Sequence, residues 1–192
     1  DMNEEINGRM VDAVAQVNTY ASLIADVNQK IVIAQSSYGQ PPNDLLDQRD
    51  LMVNELNKLV RVSTTSNSDG SFNVFIGSGQ QLVVGSTVQE MTAKASAADP
   101  TRIAIGIKTA AGAQELPEYL ITGGQLGGLV SFRSESLDTV TNEIGRVATS
   151  FALTMNAQHS LGQNLLGQIA GDPGFVGGVF TLSTPKIIGN VY

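Results

Sequence analysis

Apolar or small residues fall at Met10, Val14, Val17, Ala21, Ile24 and Ile31, and Asn28 fills the remaining step. The spacing alternates four and three, keeping one seam turned toward one partner, and it predicts a single helix over residues 1–36. Such a helix is about 50 Å long, since each residue adds about 1.5 Å. Asn28 has two readings: a polar seam residue that fixes register, or a residue rotated just out of the seam. Ser36, Ser37, Tyr38 and Gly39 dissolve the pattern, and Pro41 and Pro42 stop it. Asn43 reads as the N-cap of a second helix, with Asp44 and Asp47 favouring its positive end. Its buried stripe is Leu45, Leu46, Met52, Val53, Leu56, Leu59 and Val60. Arg49 and Asp50 lie among these and are expected to form salt bridges at the hairpin corner.

From Val62 to about Ile121 the period changes. Ser68-Asp69-Gly70-Ser71 predicts a turn, and Phe72 to Ile76 a strand. Gly77-Ser78-Gly79 turns again before a strand from Gln81 to Val84. Val88 to Thr92 and Arg102 to Lys108 read as further strands, with Ile103, Ile105 and Ile107 on one face. Ala110 to Gln114, containing Gly112, reads as a turn.

A second long helix is expected from about Leu126 to His159. Leu126, Val130, Leu137, Val140, Ile144, Val147 and Phe151 repeat by three and four, with Arg133 at one step and Met155 extending the stripe. The fold class expected is therefore α+β. A long, coiled-coil-like antiparallel helical stem (residues 1–61 and 122–160) carries an inserted small antiparallel β module (62–121). Residues 161–192, with Asp172-Pro173-Gly174 and Thr184-Pro185, read as a Gly/Pro-rich connection with one short strand around Val179 to Leu182, leading into a further domain. Asp1 falls inside a helical pattern and is expected to be an internal boundary of a longer protein.

Composition narrows the chemistry. A net charge of −7 provides no basic face for nucleic acid and no attraction to an anionic membrane surface. With no Cys and no Trp, thiolate metal sites and disulfides are excluded, and the core must be aliphatic. The one histidine, His159, stands beside Ser160 near a helix end, without a nucleophile elbow, so a Ser-His-Asp triad is disfavoured. The glycines from Gly123 to Gly128 lack the Gly-Lys-Ser/Thr ending of a phosphate loop, and close chain approach is the better reading. Asn67, Asp69 and Ser71 alternate like calcium ligands but lack the twelfth-position acid, which favours an Asp-Gly turn. Asp44, Asp47 and Asp50 share a helix side without further ligands, as a solvated helix end does. No catalytic, cofactor-binding or metal residue is expected, and no enzyme activity.

The segment Asn43-Asp44-Leu45-Leu46-Asp47-Gln48-Arg49-Asp50-Leu51 resembles the motif of the flagellar hook-associated protein 1 family of hook–filament junction proteins. Asn18 to Ile33, with Ala25-Asp26-Val27-Asn28-Gln29-Lys30-Ile31, is similar to the family's preceding helix. Gly123-Gly124-Gln125-Leu126-Gly127-Gly128-Leu129 with Ser131-Phe132-Arg133 resembles the start of its second helix. Asn156-Ala157-Gln158-His159-Ser160-Leu161-Gly162 resembles that helix's end, and Phe180-Thr181-Leu182 with Pro185 the segment after it. The pattern departs at Leu161 to Phe175, where Gln163-Asn164-Leu165-Leu166 replaces an acidic, Asn-rich turn.

The resemblance implies a structural subunit of the bacterial flagellum, exported by the flagellar type III apparatus to the cell exterior. It also implies as partners other copies of itself, the hook protein, the second hook–filament junction protein, and an export chaperone bound through a C-terminal region outside this chain. An adhesin-like binding module on a helical stalk is the alternative, although the shortage of aromatics counts against it. The two-helix stem predicts that Ile24→Asp and Ile144→Asp each cost several kcal/mol by burying a charge. Unchanged thermal melts of both variants would contradict it.

Overall fold

The four-and-three spacing at the start of the chain becomes α1, Met2–Tyr38, in the computed structural model, which describes residues 2–38, 42–77, 79–110, 112–176 and 178–182. The second helix, α2, runs Asn43–Leu59. Its cap is Pro42, not Asn43: Pro42 is extended (φ −72°, ψ 121°) and its carbonyl accepts from the Leu45 and Leu46 N–H groups. Pro41 and Gly39, expected in the stop signal, lie outside the described residues.

Among the described residues seven strands follow: β1 Val62–Ser66, β2 Phe72–Ile76, β3 Gln80–Val84, β4 Thr87–Val88, β5 Met91–Ala95, β6 Ile103–Thr109 and β7 Gly112–Glu115. They make two antiparallel sheets, ordered β1-β2-β3-β4 and β5-β6-β7. The described residues are thus α+β. Three strand expectations change. Val88 to Thr92 is not one strand, because the chain leaves the first sheet at Gln89, whose N–H still donates to Leu82, and enters the second at Glu90, whose carbonyl accepts from Lys108. The segment from Gly112 is a strand rather than a turn, pairing Thr109 with Gly112 through to Gly106 with Glu115. Val62–Ser66, an almost wholly polar run with no alternation to betray it, pairs with β2 at the sheet edge. A bulge between Val74 and Phe75 leaves Leu82 without a register partner on β2, and both Leu82 and its neighbour Val83 are buried.

Residues 1–133 form one compact unit. Its spine is α1, against which α2, α3 (Gly124–Ser131) and strands of both sheets pack. Met10, Val17, Ala21, Ile24 and Ile31 are fully buried along it, facing Leu56, Val60, Leu82, Val83, Met91 and Leu126 of the same core. Within this unit the seam of α1 is therefore covered by α2, by α3 and by strands of both sheets. The connections are short: β1 begins three positions after α2.

Residues 134–192 form the second unit, described here to Leu182. The second long helix is not one α-helix. A π-helical turn, Phe132–Leu137, stands between α3 and α4, Asp138–Ser160. Val179 to Leu182 is not a strand: the Val179 and Phe180 N–H groups donate to Asn156 Oδ1 (2.8 and 2.9 Å), and Asn156 Nδ2 donates back to the Phe180 carbonyl (2.8 Å). Phe180 also sets its ring edge-on to Phe151, 5.9 Å between centroids. Thr184-Pro185 lies outside the described residues.

The two isoleucines paired above have opposite surroundings. Ile24 is fully buried, whereas Ile144 is 64% exposed. In this chain Ile24→Asp is expected to lower unfolding free energy by about 4 kcal/mol and Ile144→Asp to change it by at most about 0.5 kcal/mol. Urea titrations of the two variants read the difference directly.

Candidate functional site

Three asparagines stand on one side of α1, at Asn7, Asn18 and Asn28. Their separations are eleven and ten positions (18 − 7 and 28 − 18); eleven is close to three helical turns and ten falls about 80° short, so the three lie within one broad side of the helix. Each amide closes on backbone at the start of a strand, and Asn28 also on Gly85 between β3 and β4. Asn7 Nδ2 donates to the Thr101 carbonyl (2.9 Å), and Asn7 Oδ1 accepts from the Ile103 N–H (3.1 Å). Asn18 takes both groups of Met91, donating to its carbonyl (2.9 Å) and accepting from its N–H (2.8 Å). Asn28 donates to the carbonyls of Phe72 (2.8 Å) and Gly85 (2.7 Å) and accepts from the Phe72 N–H (3.0 Å). The N–H groups held belong to Phe72, Met91 and Ile103, the first residues of β2, β5 and β6. A carboxamide presents the same donor and acceptor as a peptide group, so it binds a strand as a neighbouring strand would. Asn28 is fully buried, and the register it fixes is that of helix against strands, not helix against helix. Asn7 and Asn18 escaped the apolar pattern; their signal was a polar period of about eleven in the same helix.

Two buried arginines reinforce the same strand starts. Arg49 on α2 donates from Nη1 to the Gly70 carbonyl (2.7 Å) and lies with its guanidinium carbon 3.3 Å from the centre of the Phe72 ring. Its charge partner, the exposed Asp50, is 3.6 Å away, and burial lowers the guanidinium pKa below its usual value against that attraction. Arg133 donates from Nη1 to the Ile103 carbonyl (2.8 Å) and from Nη2 to Glu118 Oε1 (2.7 Å). Arg102, also buried, approaches the same carboxylate oxygen at 3.5 Å. Ile103 is thus held at its N–H by Asn7 and at its carbonyl by Arg133. Arg133, expected at a heptad step, is a strand anchor.

The chemical candidates separate in space. His159 is exposed in the last turn of α4, and the Ser160 hydroxyl donates to the Ala157 carbonyl (2.7 Å) instead of to the imidazole. Asp44, Asp47 and Asp50 are exposed on α2. Among the described residues no group of three His, Cys, Asp or Glu is placed to hold a metal ion, and no helix is long and apolar enough to cross a membrane. Asn67, Asp69 and Ser71 satisfy one another: Asp69 Oδ1 accepts from the Ser71 N–H (2.9 Å) and hydroxyl (2.6 Å), and Asn67 Nδ2 donates to Ser71 Oγ (2.9 Å). Gly70 completes the turn at φ +83°. At Gly124, φ +61°, a Cβ would lie 2.6 Å from the Leu59 carbonyl carbon and the Val60 nitrogen. This glycine therefore serves close passage of α3 past the end of α2, not a phosphate.

The match to known proteins covers the length of the chain. The profile described as the flagellar hook-associated protein FlgK helical domain matches residues 1–175. A flagellar hook-associated protein 1 of Salmonella typhimurium strain LT2 is 40% identical over 192 residues, covering 99% of this chain and 34% of the relative. The protein of the same name from Escherichia coli K12 is 37% identical over the same lengths. Among solved structures, that of the flagellar hook junction protein FlgK from Burkholderia pseudomallei superposes with a TM-score of 0.78 at 39% identity, covering 87% of this chain and 30% of that one. The chain spans about a third of the length of the curated relatives it matches.

Removing an asparagine leaves its strand groups without partners, each at a cost of about 1–3 kcal/mol. Asn28→Ala, which strands three groups, is expected to destabilise by about 3 kcal/mol or more, and Asn18→Ala by about 2 kcal/mol; chemical denaturation checks both. The Asp69 carboxyl has its pKa lowered by the hydrogen bonds from Ser71. A lowered folded-state value means the turn's contribution is present above the unfolded carboxylate pKa and is lost as pH falls through the folded one. Titration of the Asp69 side-chain carboxyl by carbon NMR is expected to give a midpoint below the ordinary value of about 3.9, and Ser71→Ala is expected to raise it.

Proposed function

We propose that this chain, which belongs to the family described as the flagellar hook-associated protein FlgK helical domain, is a structural part of the junction between flagellar hook and filament. The observation that carries the reading is the whole-length match to hook-associated protein 1, 40% identical across 99% of the chain. The fold supports a mechanical role. Its polar side chains are spent on binding strand backbone to helix, which stiffens the body without offering a reactive group. We assign no catalytic, cofactor or metal residue. The matches lend no support to an adhesin-like module.

In this reading the protein works outside the cell, after export through the flagellar apparatus. Its partners are further copies of itself, the hook protein and the second junction protein, with an export chaperone engaging a C-terminal region beyond this chain. Bending and torsional load passes between subunits through surfaces whose shape α1 maintains. We keep residues 1–61 and 122–160 as the stem in the assembled state and 62–121 as the β part fastened to it.

The full-length protein, expressed in a bacterium whose own junction protein is deleted, is expected to restore swimming in soft agar. Full-length protein carrying Asn28→Ala is expected to be exported but to restore less. A full-length protein that is secreted yet leaves the cells without filaments would contradict the junction role.

A further inference from the structure

The three asparagine clamps of α1 resemble one another in geometry but differ in the residue that follows each. Thr19 follows Asn18 and Gln29 follows Asn28, whereas Gly8 follows Asn7. A side chain on the following residue obstructs attack of its backbone nitrogen on the asparagine carboxamide, and a β-branched one such as Thr19 is the stiffest obstacle. Glycine leaves the approach open. Asn7-Gly8 is the one Asn-Gly pair in the sequence.

Among the described residues neither packing nor backbone conformation calls for glycine at position 8. Gly8 lies inside α1 and is exposed, its φ is not positive, and a Cβ there would meet nothing within 4 Å. Gly70 and Gly124 differ, since each adopts a positive φ. A glycine in a helix interior is less favourable than alanine. Its distinctive effect at this place is on the reactivity of Asn7.

We propose that Asn7-Gly8 is a deamidation site that folding closes, so that of the three clamps this one alone can be lost irreversibly. In the unfolded chain the Gly8 nitrogen gives its proton to solvent base and bonds to Asn7 Cγ. The Cγ–Nδ2 bond breaks, and Nδ2 takes up a proton and leaves as ammonia, giving a five-membered cyclic imide. Water opens the ring, at Cγ to give aspartate or at the main-chain carbonyl to give isoaspartate. One water enters and one ammonia leaves. In the folded chain both reacting groups are held. The Gly8 N–H belongs to the α1 ladder, bonded four residues back. Asn7 Nδ2 is on the Thr101 carbonyl (2.9 Å), and Oδ1 is on the Ile103 N–H (3.1 Å). Aspartate has no donor for the Thr101 carbonyl and sets a carboxylate oxygen against it. Isoaspartate adds a backbone atom to α1 and carries the side chain out of the clamp position. The inference does not depend on the flagellar assignment, since it rests on the clamp and the chemistry of the pair.

The test holds the chain at mildly alkaline pH, folded or in guanidinium chloride, and follows the tryptic peptide of residues 1–9 by mass spectrometry. In guanidinium chloride Asn7 is expected to convert before any other asparagine, to two chromatographically separate products. The folded chain is expected to convert at least about tenfold more slowly, because reaction there waits on opening of α1. Gly8→Ala is expected to suppress conversion in guanidinium chloride, where the variant's fold has no bearing. After refolding, the converted chain is expected to exchange its Ile103 amide faster, relative to Phe72 and Met91, than the parent does. Equal rates with and without denaturant, earlier conversion of another asparagine, undiminished conversion in Gly8→Ala, or an unchanged Ile103 amide in the refolded product would each overturn the proposal. Should the converted chain not refold, the first three results decide.

Discussion

An α-helix spends its backbone donors and acceptors on itself, so its side cannot extend a β-sheet. In this chain α1 holds strands nonetheless, because Asn7, Asn18 and Asn28 supply the donor and acceptor that its backbone lacks. The rest of the first unit depends on that substitution. Small sheets of four and three strands need their apolar faces covered, and unpaired backbone groups at strand starts need partners. The asparagines supply those partners at strand starts. The aliphatic stripe of α1 then covers the strands' apolar side chains beside them. Neither contribution suffices separately: burial alone would leave strand register free, and hydrogen bonds alone would contribute only about 1 kcal/mol each.

The buried arginines extend the same logic. Arg49 and Arg133 carry charge into the protein, where an unpaired charge is costly. Both direct it at backbone carbonyls next to residues the asparagines already hold, Gly70 before Phe72 and Ile103 itself. Phe72 and Ile103 are in this way fixed from two elements each. Such cross-linking by polar side chains ties strands to helices from two sides. Asn156 repeats the device in the second unit, closing on Val179 and Phe180. There the described residues Val179 and Phe180 are irregular backbone held to a helix.

Much of this was legible in residues. The long helix α1, the Asp69-Gly70 turn, the strand Phe72 to Ile76 and the glycine approach at Gly124 all follow from period or turn chemistry. What escaped had specific causes. The polar run of β1 carries no alternation, because nearly all of it faces water at a sheet edge. The partner of α1 could not be deduced from its own stripe, since a seam of aliphatic residues accepts helix or sheet alike. The asparagines looked like interruptions of that seam because the pattern scored apolarity, and their shared period of about eleven lay outside it. The π turn was invisible for the opposite reason: the heptad runs straight through it.

The central claim is that three side-chain amides of α1, beside the sheets' own pairing, hold the starts of β2, β5 and β6. Hydrogen exchange at the backbone amides of Phe72, Met91 and Ile103 tests it most directly, since each N–H donates to an asparagine Oδ1. The account predicts that all three exchange only with global unfolding, in the slowest class, together with the buried core of α1. Exchange of these three amides as fast as that of exposed turn residues, while α1 stays protected, would contradict it.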